Sequence, residues 1–231
     1  MLRLTRHLYG WTGDARYFDF YERAHLNHIM SQQHPDTGMF TYFTALAPGM
    51  GRVHSSPTED FWCCVGSGME SHSEHGESIY WKRGDAVAIN LYYASTLDAP
   101  EAKLDIDTQF PLGDTVRIAV RTAPRTLALR VPGWCAAPLL QVNGRTAGVR
   151  DGAYLLLTGL KAGDRIALSL PMPVRVEIDA RRSQADRVPQ RPAGPGGRYG
   201  RGGPSVGRAG PRARHRPDGT GAGEGDRIAP V

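Results

Sequence analysis

The chain has 231 residues, enough for one large domain or two smaller ones. Its net charge of +5 is unevenly placed: residues 1–177 carry 17 basic and 18 acidic side chains, and residues 178–231 carry 11 arginines against 5 acids. A neutral body excludes a general nucleic-acid or anionic-membrane binder. Three cysteines exclude a disulfide-stapled scaffold, and no run approaches the about 20 apolar residues of a membrane span.

Leu2, Leu4, Leu8 and Trp11 form a short amphipathic helix that ends between Gly10 and Gly13. Asp14 is a good N-cap for a second helix, in which Phe18, Tyr21, Ala24, His25 and Ile29 recur at helical spacing until Pro35 and Gly38 stop it. Residues 39–44, Met-Phe-Thr-Tyr-Phe-Thr, are aromatic and β-branched and predict a strand. A third helix is expected over 65–80. From residue 86 the pattern changes. An apolar run over 86–93, alternation over 116–120 and 127–131, an Asn143-Gly144 turn, and short strands at 154–157 and 166–170 predict an antiparallel sandwich.

The last segment differs again. Of residues 178–231, 30 are Gly, Pro or Arg, and large apolar side chains are scarce. Such a segment cannot bury enough surface to offset the entropy of ordering, so it is expected to be disordered. Three readings apply: an arginine-glycine RNA-binding tail, a tail without a role, and a frameshifted gene end. The third is preferred, because nothing else in the chain points to RNA.

Two of the three cysteines are adjacent, within Phe61-Trp62-Cys63-Cys64-Val65-Gly66-Ser67-Gly68-Met69-Glu70. Neighbouring Cα atoms lie about 3.8 Å apart, too close for an ordinary disulfide. A pair of thiols at a helix start suits a soft metal or an activated nucleophile. The alternative is two buried, inert cysteines. The usual catalytic signatures fail here. G-x-S-x-G would need glycines where Val65 and Met69 stand, and no second ligand pair completes a zinc finger. Cys135 reads as structural. Glu74, Glu77, His72 and His75 read as a solvated face, and Glu70 as a candidate for a buried structural role beside the cysteines.

Three stretches resemble glycoside hydrolase family 127, the β-L-arabinofuranosidase-like proteins also known as a domain of unknown function. They are residues 1–6 with Trp11-Thr12-Gly13-Asp14, residues 21–29, and the Cys63-Cys64 block. Val131-Pro132-Gly133-Trp134 and Val142-Asn143-Gly144 fit the same family's β domain. The resemblance covers residues 1–177 and implies an α+β, multidomain fold. Residues 1–82 would be the last helices of an (α/α)6 barrel, residues 83–177 an antiparallel β-sandwich, and residues 178–231 the disordered C-terminal tail. It also implies a retaining hydrolase of arabinofuranoside-like carbohydrates whose nucleophile is a cysteine held on zinc. Carried over, Cys63 is the nucleophile, Cys63 and Cys64 are zinc ligands, and Tyr42 matches a substrate-side tyrosine. The family's other ligands, in a Glu-x-Cys motif, and its acid/base glutamate would precede residue 1. The expectation is therefore a C-terminal fragment with little or no activity alone. Its rivals are a non-catalytic carbohydrate-binding or scaffold module and a nucleic-acid binder acting through the tail. No membrane partner is expected. A cytoplasmic location is expected, since no signal-peptide pattern is present.

Overall fold

Helix α1 spans Leu2–Thr12, and Gly13, at φ 68, closes it by donating its N–H to the Tyr9 carbonyl at 2.7 Å. A residue without Cβ takes that left-handed conformation without strain. These helices belong to a computed structural model that describes residues 1–44, 49–174 and 228–231. The predicted Leu2-Leu4-Leu8-Trp11 stripe is not the buried face. Thr5 and Tyr9 are buried, whereas Leu4 and Trp11 are exposed. The aromatic partners decide this: the Tyr9 ring meets Phe18 and Trp81 edge-to-face at 4.7 and 4.8 Å.

Helix α2 spans Arg16–Ala24. The N-cap position is Ala15 rather than the expected Asp14, whose carboxylate, one residue earlier, accepts the Arg16 N–H at 3.0 Å. The helical path continues through a wider turn at His25–Ile29 and a tighter one at Met30–Gln32, and it ends before Pro35. The predicted strand at 39–44 is not regular. Phe40 and Thr41 make only isolated bridges to Gln33 and His54, because each faces a loop rather than a strand that could propagate the ladder. Helix α3, Cys63–Ser73, starts two residues before the predicted 65–80 and ends well short of it. The remaining residues turn, and Ile79, Tyr80 and Trp81 enter the sandwich core, where aromatic and β-branched side chains pack as a strand.

Among the described residues twelve strands follow: β1 Tyr80–Arg83, β2 Ala86–Ile89, β3 Ser95–Asp98, β4 Lys103–Thr108, β5 Thr115–Thr122 and β6 Thr126–Arg130, then β7 Leu139–Val142, β8 Arg145–Thr146, β9 Val149–Asp151, β10 Tyr154–Thr158, β11 Arg165–Ser169 and β12 Ala229–Pro230. They form two six-stranded sheets, in the orders β12-β1-β2-β6-β10-β9 and β3-β4-β5-β11-β7-β8. Every pairing is antiparallel except β2 with β6, a departure from the all-antiparallel expectation. The period of two is clear in β5, where Val116, Ile118 and Val120 point inward and Arg117 and Arg121 outward. Their partners across the core include Leu127 and Leu129 of β6 and Leu155 and Leu157 of β10. Asn143 and Gly144, at φ 51 and 77, make the predicted tight turn between β7 and β8.

The expected disorder of 178–231 falls on residues outside those described, except at the end. There Ala229 and Pro230 pair with Lys82 and Trp81 of β1, so the last four residues are ordered against the sheet edge. Among the described residues no helix is long and apolar enough to cross a membrane.

Helices and sandwich share one core, and a buried polar network joins them. Arg130, at the end of β6, is fully buried. Its guanidinium donates to Glu22, to Asp19 at 2.7 Å and to the Asn90 carbonyl at 2.6 Å. Trp134 Nε1 donates to the other Glu22 oxygen at 2.6 Å, and the Gly133 N–H donates to Asp19 at 2.9 Å. A Cβ at Gly133 would lie 2.6 Å from the Asp19 carboxylate, so a side chain there would displace α2 from its anchor.

Candidate active site

The helix carrying the cysteines is positioned by one close contact. A Cβ built on Gly68 would lie 2.5 Å from the ring of Phe40, so the Phe40 segment seats directly on the α3 backbone. Phe40 is held in turn from Ser55: its N–H donates to Ser55 Oγ at 3.2 Å, and its carbonyl accepts the Ser55 N–H at 2.8 Å. Gly68→Ala is expected to cost about 1–3 kcal/mol by overpacking and to loosen the cysteine helix. Urea unfolding checks the first effect. The rate of thiol alkylation at Cys63 checks the second.

Trp62 is the N-cap of α3, and Cys63 and Cys64 are its first two helical residues. Their N–H groups belong to the unpaired first turn, where partial positive charge favours an anion. Cys63 is exposed and Cys64 half-buried, with sulfurs 3.9 Å apart and no disulfide between them. Burial first, then the neighbouring Cys63, push the Cys64 thiol above its ordinary pKa. Cys63 presents the more accessible sulfur of the two.

The wall beside the pair is aromatic. Tyr42 lies edge-on to Trp62 at 5.8 Å between ring centroids and to Phe43 at 4.5 Å. With Met50 and Val53 they line an open pocket of about 710 Å³. The sequence-predicted Tyr42 thus stands by the residue preceding Cys63. Its aromatic neighbours Trp62 and Phe43 were not singled out by sequence reasoning, because their approach depends on how the Phe40 segment seats on α3.

Past the cysteines the expected solvated face is kept in part: His72 and Glu77 are exposed, whereas Glu74 and His75 are half-buried. Glu74 pairs with Arg3, and Glu77 with Arg6, so this face docks on α1. Glu70 is exposed, with Arg3 4.0 Å away, rather than buried beside the cysteines. His72 and His75 join buried His25 in a hydrogen-bonded row: His25 Nε2 to His75 Nδ1 at 2.6 Å, and His75 Nε2 to His72 Nδ1 at 3.0 Å. His25 Nδ1 meets the Tyr93 hydroxyl at 2.7 Å. Burial holds the Tyr93 phenol well above its ordinary pKa, so its O–H is available to donate to Nδ1. Neutral imidazoles, each with its proton on Nε2, then satisfy the whole row. Burial first, then His75 and His72, push the His25 pKa down to about 4. Cys135 is buried, as expected of a structural residue, with its thiol pKa raised by burial.

Structural zinc takes four donors as a rule. Cys63 and Cys64 are two, and no group of three or more His, Cys, Asp or Glu side chains among the described residues could hold a metal ion. The described residues do not complete a zinc site by themselves.

Comparison with known proteins agrees with this architecture. The model of the β-L-arabinofuranosidase GH127 catalytic domain matches residues 1–77, and that of the GH127 middle domain matches residues 86–172. Among solved structures, a GH127 β-L-arabinofuranosidase from Geobacillus stearothermophilus T6 superposes with TM-score 0.65 at 26% identity, over 80% of this chain and 33% of that one. A GH127 β-arabinofuranosidase follows with TM-score 0.63 at 25% identity, over 74% and 31%. A structure described as a glycoside hydrolase is alike in fold, with TM-score 0.62 at 23% identity, over 74% and 32%. No curated protein matches the chain. The chain spans about a third of the length of these structures. The two domain matches run in family order and take in both the cysteine block and the sandwich, and the chain belongs to glycoside hydrolase family 127.

Proposed function

We propose that this chain supplies the nucleophile half of a retaining β-L-arabinofuranosidase-like site. The observation carrying it is the exposed Cys63 sulfur in the first turn of α3, beside an aromatic wall, within the region matching the GH127 catalytic domain. In this reading α1 to α3 are the last helices of an (α/α)6 barrel, residues 1–82, and residues 83–177 are the sandwich behind it.

The chemistry is a double displacement on an arabinofuranoside-like carbohydrate. The Cys63 thiolate attacks the anomeric carbon; a C–S bond forms as the glycosidic C–O bond breaks, and a carboxylic acid protonates the departing oxygen. Water then attacks the same carbon and gives its proton to that carboxylate. The thiolate leaves, and configuration is retained. A free thiol is only a few per cent ionised at neutral pH, and the helix N-terminus favours the anion. Tyr42 and Trp62 offer faces for the sugar ring. Cys63 and Cys64 would be two donors to zinc, with the remaining donors and the acid outside the described residues. The chain alone is therefore inactive.

Purified chain is expected to hydrolyse an aryl β-L-arabinofuranoside no faster than its Cys63→Ala variant. Supplying in trans the N-terminal barrel segment of a family member should restore zinc uptake and turnover, and Cys63→Ala should then lower turnover by about a thousandfold or more. Cys63-dependent turnover by the chain alone would overturn its inactivity. Restored turnover indifferent to Cys63→Ala would overturn the nucleophile. Sugar binding at the aromatic wall with neither zinc uptake nor turnover would favour a non-catalytic carbohydrate-binding module.

A further inference from the structure

The first sheet has an edge that the chain fills with its own last residues. Trp81 and Lys82 of β1 pair with Pro230 and Ala229, and the Val231 N–H donates to the Tyr80 carbonyl at 3.1 Å. That bond makes Tyr80 and Val231 a hydrogen-bonded pair, and strand alternation makes Trp81 and Pro230 a non-bonded one. Pro230, which has no N–H, thus stands where the ladder asks for none.

The other wall of the slot is the last turn of α1. A methyl group built on Gly13 would lie 2.9 Å from Ile228 Cδ1, and one on Gly10 would lie 3.3 Å from the Ile228 carbonyl. Gly10 also sits against the Trp81 ring. Two glycines one turn apart therefore let a strand run between helix and sheet edge. Ile228 packs on the main core and borders a cavity of about 390 Å³ lined by Tyr9, Gly13, Trp81, Ala128 and Tyr154. The side chain occupies only part of the space open to it.

We propose that the β1 edge and the Gly10–Gly13 turn form a strand-accepting peptide site. Its ligand is an extended segment with a β-branched apolar anchor followed by a small residue and proline. In this chain residues 228–231 fill it. Main-chain pairing to Tyr80 and Lys82 supplies affinity, and the socket under Gly13 supplies selectivity for the anchor. The segment is covalently part of the chain, so it competes with an added peptide as an intramolecular ligand.

The test uses the full chain and a chain ending at residue 227. A fluorescent peptide, Arg-Ile-Ala-Pro-Val, is titrated into each. The shortened chain is expected to bind it at least tenfold more tightly than the full chain, and to regain thermal stability as it does so. Gly13→Val should abolish binding to the shortened chain, as should Asp in place of Ile in the peptide. Should the shortened chain fail to fold, Ile228→Asp in the full chain is the second variant. It should speed hydrogen exchange at the Tyr80 and Lys82 amides, which face β12, while Trp81, which faces β2, keeps its protection. Equal peptide binding by both chains, binding indifferent to the Ile-to-Asp change, or unchanged exchange at Tyr80 and Lys82 in Ile228→Asp would overturn the proposal.

Discussion

Arg130→Met is expected to destabilise the chain by about 3–5 kcal/mol, because it breaks a buried ion pair from one side. Arg130 has no solvent exposure and the Glu22 side chain only 5%. Removing the guanidinium leaves the Glu22 carboxylate in the core with Trp134 Nε1 as its remaining donor, and it strips the Asn90 carbonyl of its partner. Methionine fits the volume, so the cost is one of charge and hydrogen bonding rather than of a void. For a body of this size the melting temperature should fall by on the order of 10 °C. Arg130→Lys should rescue little, since one ammonium cannot serve Glu22, Asp19 and Asn90 together. Glu22→Gln added to Arg130→Met should recover part of the loss by removing the stranded charge. Urea midpoints of the four proteins decide this. A loss below about 1 kcal/mol for Arg130→Met, or no recovery in the double variant, would reject the network as the link between α2 and the sandwich.

The second large effect is a loss of stability on mild acidification. His25 has a folded pKa of about 4 against an ordinary 6.5. Between those values the unfolded chain binds more protons than the folded one, so stability rises with pH across that window and falls as pH drops through it. The shift corresponds to roughly 2–3 kcal/mol lost between pH 6.5 and 4, with His75, also lowered by burial and by His72, adding to the slope. The groups around the row give little relief. Glu74 is committed to Arg3, Tyr93 is neutral, and Tyr21 packs on the His25 ring at 5.8 Å. His25→Gln should lower stability at pH 7, where the row is lost, yet flatten the fall between pH 6.5 and 4.5, so the two proteins converge in acid. Urea midpoints at pH 7, 6 and 5 test this, and parallel curves for the two proteins would reject it. Since the row pins the far end of α3, the same acidification should loosen the helix that carries Cys63.

These two predictions mark what was hard to read from the sequence. Arg130 sits in a strand whose alternation is plain, but its partners lie 108 and 111 positions earlier, and no local spacing announces them. Glu22 and His25 stood in the second helix as one polar residue and one member of an apolar-spaced row; their burial follows from the sandwich packing on that face. His75 looked solvated because helical spacing says which side chains share a face, not what covers it; His72, at the outer end of the row, is exposed as read. The α1 face was misassigned for the same reason: leucine spacing is local, and the aromatic contacts of Tyr9 are not.

The sequence by itself determined the three helices and the strands β2, β5, β6, β10 and β11. It also determined the break between helical and β regions, the Asn-Gly turn, and the family resemblance carried by the Cys63-Cys64 block. Each is a matter of period, turn chemistry or adjacent residue types, which act within a few positions. Only the tertiary structure decided that Cys63 is the exposed sulfur and Cys64 the sheltered one. It also decided that Tyr42 reaches Trp62, that three histidines share one row, and that residues 228–231 close the sheet edge. Those facts depend on contacts between segments tens of residues apart, where burial and shape select among arrangements that local pattern leaves equal.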